Sequence, residues 1–254
     1  MTPRVSETPS GARLVERLRR YDFELVSPPR RLTEQARVRD IRRFRSEVYR
    51  EFGSLPDHID TTMTGDDTVD REAWHIVAQY ERQLVGCLRC TIFNHPLRSE
   101  VPELVLQNSG CRLAPAARAI CLSSIHAFLV SRRPEHSPLP QFGGFAVSSA
   151  ARGTAVATGL CLAATAFTRA LASGGGLLLA AEKSRAERLY ARAGGFRLLI
   201  DGEPVPALND AFHRDRILVM GSAPFGNDVR LEPVVEMLRS SLFQEHPIKE
   251  AASA

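Results

Sequence analysis

The sequence predicts an α+β fold in which helices cross a central sheet, and three patterns predict it. Two apolar runs, residues 73–80 and 84–93, are separated only by Glu81-Arg82-Gln83, which is a hairpin signal. A nearly uncharged run of helical length after Ala155 lies between two short buried runs, residues 142–148 and 177–181. Helical spacing recurs near both ends of the chain, over residues 33–52 and 231–243. With 254 residues, 44% of them apolar and 24% charged, the chain has ordinary globular composition and length for one large domain.

Residues 1–19 read as a partly helical N-terminal extension, residues 20–245 as a single domain and residues 246–254 as a tail. A first strand over 21–27 is stopped by Pro28 and Pro29. In the helix that follows, Val38, Ile41, Val48 and Phe52 mark an apolar stripe, and Arg45 falls on it, seven residues after Val38. Arg45 is therefore aimed inward. A polar loop covers 53–66. The second hairpin strand is apolar on both faces, yet Arg89 interrupts the face of Val85, Cys87 and Phe93, which makes it a second inward arginine. Residues 101–133 look mostly helical and end in the proline-rich stretch 134–140. The strand 142–148 runs into a loop of small residues. The long helix after it ends near Ala172 and carries Arg169 as its only charge, so it is buried on most sides. Gly174-Gly175-Gly176 stops it. Ser184 and Glu187 form a capping-box pattern for a short helix, which Gly194-Gly195 closes. Strands near 196–200 and 216–220 precede the last helix.

Residues 1–50 hold 13 Arg and 7 acids, while the remainder has 20 basic and 22 acidic residues. Such a concentration suits an acidic partner (a phosphate-bearing cofactor, an acidic carrier protein or a nucleic acid) or simply a solvated basic helix. The longest nearly apolar run, residues 155–167, is far short of the roughly 20 residues that span a bilayer. No apolar segment of a secretory signal opens the chain, so the expectation is a cytoplasmic protein. Five cysteines then read as reduced thiols. Cys87 and Cys90 are three apart on a strand and point to opposite faces, which argues against a metal or redox pair.

Three constellations can carry chemistry. Residues 145–155 join a strand to a buried helix through small residues, so free backbone N–H groups and the positive end of the helix face outward together, as a phosphate requires. Many strand–turn–helix units bind nothing. Arg45 and Arg89 need carboxylate partners, and Asp67-x-x-Asp70 is the nearest supply. That cluster either stabilises the fold or holds the carboxylate and amine of a ligand. Tyr190, on the apolar side of its helix, is either a packed aromatic or a proton donor beside a ligand.

In this order the segments resemble the GCN5-related N-acetyltransferase (GNAT) superfamily, and within it the branch of acyl-homoserine-lactone synthases and N-acyl amino acid synthases. Arg45-x-x-Val48-Tyr49, Asp67-x-x-Asp70 and Val85-Gly86-Cys87-Leu88-Arg89 are similar to motifs of that branch. Arg152-Gly153-Thr154-Ala155 resembles the superfamily's glycine-rich loop, with Ala155 in place of its middle glycine. Leu189-Tyr190 followed by Gly194-Gly195-Phe196 resembles another superfamily segment, with one additional glycine. Residues 205–210 resemble the N-acyl amino acid synthases. The lactone synthases carry Glu and Arg where this chain has Gln141 and Gly144.

The resemblance implies an α/β/α sandwich with a mixed, splayed sheet, and attack of an amine on an acyl thioester. No cofactor would be bound permanently. Val147, Ser148, Arg152, Gly153, Thr154 and Ala155 would hold the phosphopantetheine arm of acyl carrier protein or coenzyme A. The strand N–H near Val147 would stabilise the oxyanion. Glu182 would take the amine proton and Tyr190 would protonate the thiolate. Arg45, Asp67, Asp70, Arg89, Gln141 and Gly144 would line the acceptor pocket. The implied partners are a small amine, with acyl carrier protein docking on the arginine-rich end. The alternatives are a homoserine-lactone synthase, a transferase using aminoacyl-tRNA, and an inactive ligand-binding relative.

Overall fold

The computed structural model describes residues 11–54, 67–131, 138–183, 185–211, 215–222 and 228–244. The tail, Ser184, most of the 53–66 loop and the side chains of Thr33 and Asp67 lie outside the described residues.

Eight strands make one sheet. They are β1 (Asp22–Val26), β2 (Trp74–Tyr80), β3 (Gln83–Phe93), β4 (Leu139–Val147), β5 (Gly176–Ala181), β6 (Gly195–Arg197), β9 (Leu208–Asp210) and β10 (Asp215–Ser222). Their order is β1-β2-β3-β4-β5-β10-β6, and β9 pairs with the other end of β10. Every neighbouring pair is antiparallel except β4 and β5. Because β4 and β5 are parallel, the chain between them must cross the sheet, and it does so as α6 (Val156–Ala170). Among the described residues a separate two-stranded ribbon joins β7 (Leu199–Ile200) and β8 (Glu203–Pro204).

The hairpin between β2 and β3 is tighter than its sequence indicates. Gln83 already pairs with Tyr80, so the turn is Glu81-Arg82 alone, at φ +50° and +65°. Those angles match the two-residue turn whose twist suits flanking strands. The strand foreseen at 142–148 begins at Leu139, with Pro140 near its start, a position where a proline is tolerated. The one foreseen at 196–200 breaks in two because Leu198 turns into the core and sends β7 away from the main sheet.

One face of the sheet is covered by α1 (Gly11–Leu18), α6 and α8 (Glu232–Leu242), with α7 (Ala186–Arg192) beside them. Phe167 of α6 anchors this layer, with its ring centroid 6.4 Å from Phe142, 6.5 Å from Trp74 and 6.1 Å from Phe243. Arg169, the lone charge of α6, forks onto Glu232 at the start of α8. The other face is covered by α2 (Leu32–Glu51), α4 (Val101–Asn108) and α5 (Pro115–Ser131). The segment foreseen as helical over 101–133 thus divides into α4 and α5. A six-residue helix, α3 (Asp67–Glu72), leads into β2. Cys87 packs under α2 and Cys90 on the α6 face, so the two thiols are separated by the sheet. Burial pushes the Cys87 thiol up to about 12. Among the described residues no helix is long and apolar enough to cross a membrane.

Candidate active site

Strands β4 and β5 pair only at Gln141–Leu177 and Phe142–Leu178, then part. On its other side, β4 pairs Gly143 with Arg89 and Ala146 with Cys87, so it carries one residue more than β3 between these pairs. The additional residue forms a bulge at Gly144, whose φ is +59°. A cavity of about 660 Å³ opens in the gap. It reaches Tyr190 and Leu189 of α7, Arg45 and Tyr49 of α2, and Asp215 of β10.

Beyond β4 the chain makes a short 3-10 turn, Ser149–Ala151, before α6. Ser148 N–H donates to Val85 O at 3.0 Å, toward β3. By the alternation of an extended strand, Val147 N–H points the opposite way, into the gap. Thr154 caps the start of α6: its hydroxyl accepts from Val156 N–H at 3.3 Å and donates to Ala151 O at 2.7 Å. The N–H groups of Gly153 and Ala155 have no acceptor among the described residues. Gly153 has φ +76°, and a Cβ there would meet nothing within 4 Å. The turn is open.

Arg152 lines the cavity, and its Nε donates to Val147 O at 3.4 Å. Its Nη2 donates to Glu51 Oε2 at 2.9 Å, and its guanidinium lies 3.9 Å from the centre of the Phe52 ring. Tyr190 is buried with its ring edge-on to Phe145, and burial holds its hydroxyl well above the usual phenol range. It stays protonated. Tyr49 behaves alike, with burial raising it to about 12.

On the α2 face, Asp70 gathers three guanidinium groups. Arg45 Nη2 and Arg89 Nη1 donate to it, the latter at 3.2 Å, and Arg42 Nε lies 3.3 Å from Oδ2. All four side chains are buried. Burial alone would raise the Asp70 carboxyl, but the charges of Arg45 and Arg89 outweigh it and hold the group well below the ordinary carboxylate range. Burial also keeps His75 neutral, down at about 4, while its Nε2–H donates to Asp70 O at 3.0 Å. Arg45 Nη1 is buried beside the cavity with no acceptor among the described residues.

No protein-family model matches the sequence, and no curated protein matches it. Solved structures do. The acyl-homoserine-lactone synthase LasI superposes with a TM-score of 0.52 at 15% identity, covering 84% of this chain and 95% of its own. TofI, solved in a ternary complex with an inhibitor and MTA, superposes at 0.50 with 12% identity, covering 87% and 99%. FeeM, an N-acyl amino acid synthase from uncultured soil microbes, is also matched, at 0.47 and 11% identity over 89% and 96%.

The chain has a GNAT-like fold, shared with LasI and TofI.

Within this GNAT-like frame, the residues singled out from sequence fall into two groups. Val147, Gly153, Arg152, Tyr190, Arg45, Arg89 and Gly144 line one cavity. Gln141, Glu182, Ser148, Thr154, Ala155 and Asp70 do not line it. Gln141 is buried away from it, with Nε2 donating to Val105 O at 2.7 Å and Oε1 accepting from Asn108 at 3.3 Å, so it secures the end of α4. Glu182, past the end of β5 where strand alternation no longer places a side chain, turns toward solvent and pairs with Arg216 at 3.3 Å. Ser148 does not line the cavity; its hydroxyl is buried and its N–H is bound within the sheet. Asp70 acts through the arginines it holds. Arg185, at a left-handed φ of +52°, occupies the capping position of α7.

Sequence reading did not single out Arg42, Cys111 or Asp215, and named Tyr49 only within a motif, without a role. Arg42 and Tyr49 continue the helical stripe from Val38 through Arg45. Asp215 shares the inward face of β10 with Ile217 and Val219, two and four residues on.

Proposed function

We infer that this chain is an N-acyltransferase that moves an acyl group from a phosphopantetheine thioester to the amine of a carboxylate-bearing acceptor such as an amino acid. The observation that carries this is the single cavity running from the open turn at Gly153, through the gap between β4 and β5, to the unsatisfied Arg45 Nη1.

The free N–H groups of Gly153 and Ala155, at the positive end of α6, suit a phosphate of the tether. The tether would then lie in the gap, with its carbonyl oxygen facing the N–H of Val147. That N–H is fixed before reaction begins, so it opposes the developing negative charge without reorganisation. The acceptor carboxylate would meet Arg45, beside Arg89, because a buried guanidinium nitrogen without an acceptor gains most from an anion. Nitrogen attack forms the C–N bond and breaks the C–S bond. Tyr190, held protonated, gives its proton to the departing sulfur. The GNAT-like fold alone does not require this donor or this acceptor; the loop, the gap and the arginines support them together. With Gln141 spent on α4 and Gly144 in place of an arginine, the lactone-forming branch has less support here.

Incubation with acyl carrier protein thioesters and with acyl-coenzyme A, each against pooled amino acids, tests the reading by mass spectrometry of the products. An N-acyl amino acid from either donor is the expected result. Free thiol without an N-acyl product, or no reaction at all, would overturn it.

A further inference from the structure

The cavity carries Arg45, Arg89, Arg112 and Arg152 but one carboxylate, Asp215, among the described residues. Asp215 is 8% exposed, opens β10 and lines the same cavity as the β4 bulge. Its carboxylate is held in place by main-chain donors: Lys183 N–H at 3.3 Å to both oxygens and Arg216 N–H at 2.7 Å to Oδ1. Each carboxylate oxygen has two lone-pair directions, so acceptor capacity remains after these bonds. Glu182, the nearer candidate in sequence, is turned outward onto Arg216.

We propose that Asp215 holds the acceptor's nitrogen and takes its proton, an assignment that rests on the acyl-transfer reading above. The acceptor is then gripped at both poles, its carboxylate by Arg45 and Arg89 and its ammonium by Asp215, which selects zwitterionic α-amino acids over simple amines. Asp215 first takes one proton of the ammonium and passes it to solvent, which makes the nitrogen nucleophilic below its solution pKa. As nitrogen joins the carbonyl carbon, its second proton passes to Asp215; the C–S bond breaks and the sulfur takes the proton of Tyr190. Solvent returns a proton to Tyr190 and removes one from Asp215. Nothing else is consumed.

Several charged or titratable groups surround this carboxylate. Asp210 stands opposite it in the β9–β10 register, Cys111 and Arg112 approach from the segment after α4, Lys183 and Arg216 flank it, and Glu187 lies on α7. None of them is altered in Asp215→Asn, which keeps an oxygen for the main-chain donors. The variant should bind donor as the wild type does but lose about 10²–10⁴-fold in kcat/KM for the amino acid near neutral pH. The loss should shrink as pH rises toward the acceptor's own amine pKa, where solution supplies the free amine. In Asp215→Ala, added formate should restore part of the rate. If Asp215 were only structural, the loss would be equal at every pH and formate would do nothing, and either result overturns the assignment. Full activity in Asp215→Asn would overturn it as well while leaving the acyl-transfer reading standing. Absence of transfer by the wild type with every donor removes both.

Discussion

At the scale of single residues, the site depends on two positions that sequence alone left ambiguous. Gly144 forms the bulge of β4, and its glycine is required twice over. Its φ is left-handed, and a Cβ would come within 2.8 Å of Arg45 Nη1 and 3.2 Å of Arg89 Cβ. Gly144→Ala should therefore cost about 1–2 kcal/mol from the backbone term and displace the Arg45 head. Urea denaturation will measure the first effect, and a raised KM for the acceptor with donor KM unchanged will report the second. Tyr190 is the other position. Losing its proton should lower kcat by roughly 10²-fold in Tyr190→Phe, with donor affinity retained because the ring still packs on Phe145. An unchanged kcat would remove Tyr190 from the reaction. Arg45 and Arg89 were legible as inward arginines from spacing, and Asp70 as one of the two nearest carboxylates to serve them; that Arg42 joins them was not, since the gathering at Asp70 comes from three separate elements.

At the scale of elements, α2 matters more than a basic amphipathic helix should. The arginine concentration in residues 1–50 suits an acidic partner, but part of it is used inside the molecule. Arg42 and Arg45 are buried on Asp70, and Arg37 and Arg43 pair with Glu24 and Glu47. The far end of the same helix clasps Arg152, which lines the cavity, through Glu51 and Phe52. If Arg152 serves the donor phosphate, Glu51 competes with that phosphate. Glu51→Ala should then lower donor KM several-fold at low salt, with a smaller change at high salt. A donor KM that stays the same or rises would show that the clasp does not oppose donor binding. The strands and long helices were readable from period and punctuation because packing and propensity agree there. The small ribbon β7–β8, β9 and α3 were not, since two- to six-residue elements carry too little pattern and are set by their neighbours.

At the scale of the whole molecule, a histidine buried beside Asp70 ties stability to pH. His75 is buried and neutral, down at about 4 from an ordinary 6.5. Its unfolded form binds a proton that the folded form refuses, so stability is complete above 6.5 and falls as pH drops toward 4, by roughly 3 kcal/mol. Asp70, also depressed, withdraws its contribution only at lower pH, as the carboxyl is protonated. His75→Gln keeps a donor for Asp70 O without a titrating group. Its stability in urea should change far less than that of the wild type between pH 7.5 and 4.5. Equal slopes would show that another group governs the acid limb.

The short parallel contact between β4 and β5 has a mechanical consequence. Residues before the crossover complete one antiparallel ladder, β1 to β4, and those after it build a second around β10. Along the sheet, two residue pairs stitch these ladders together. A tether lodged in the wedge would add rungs to that seam, so loading the donor would also rivet the two halves of the molecule.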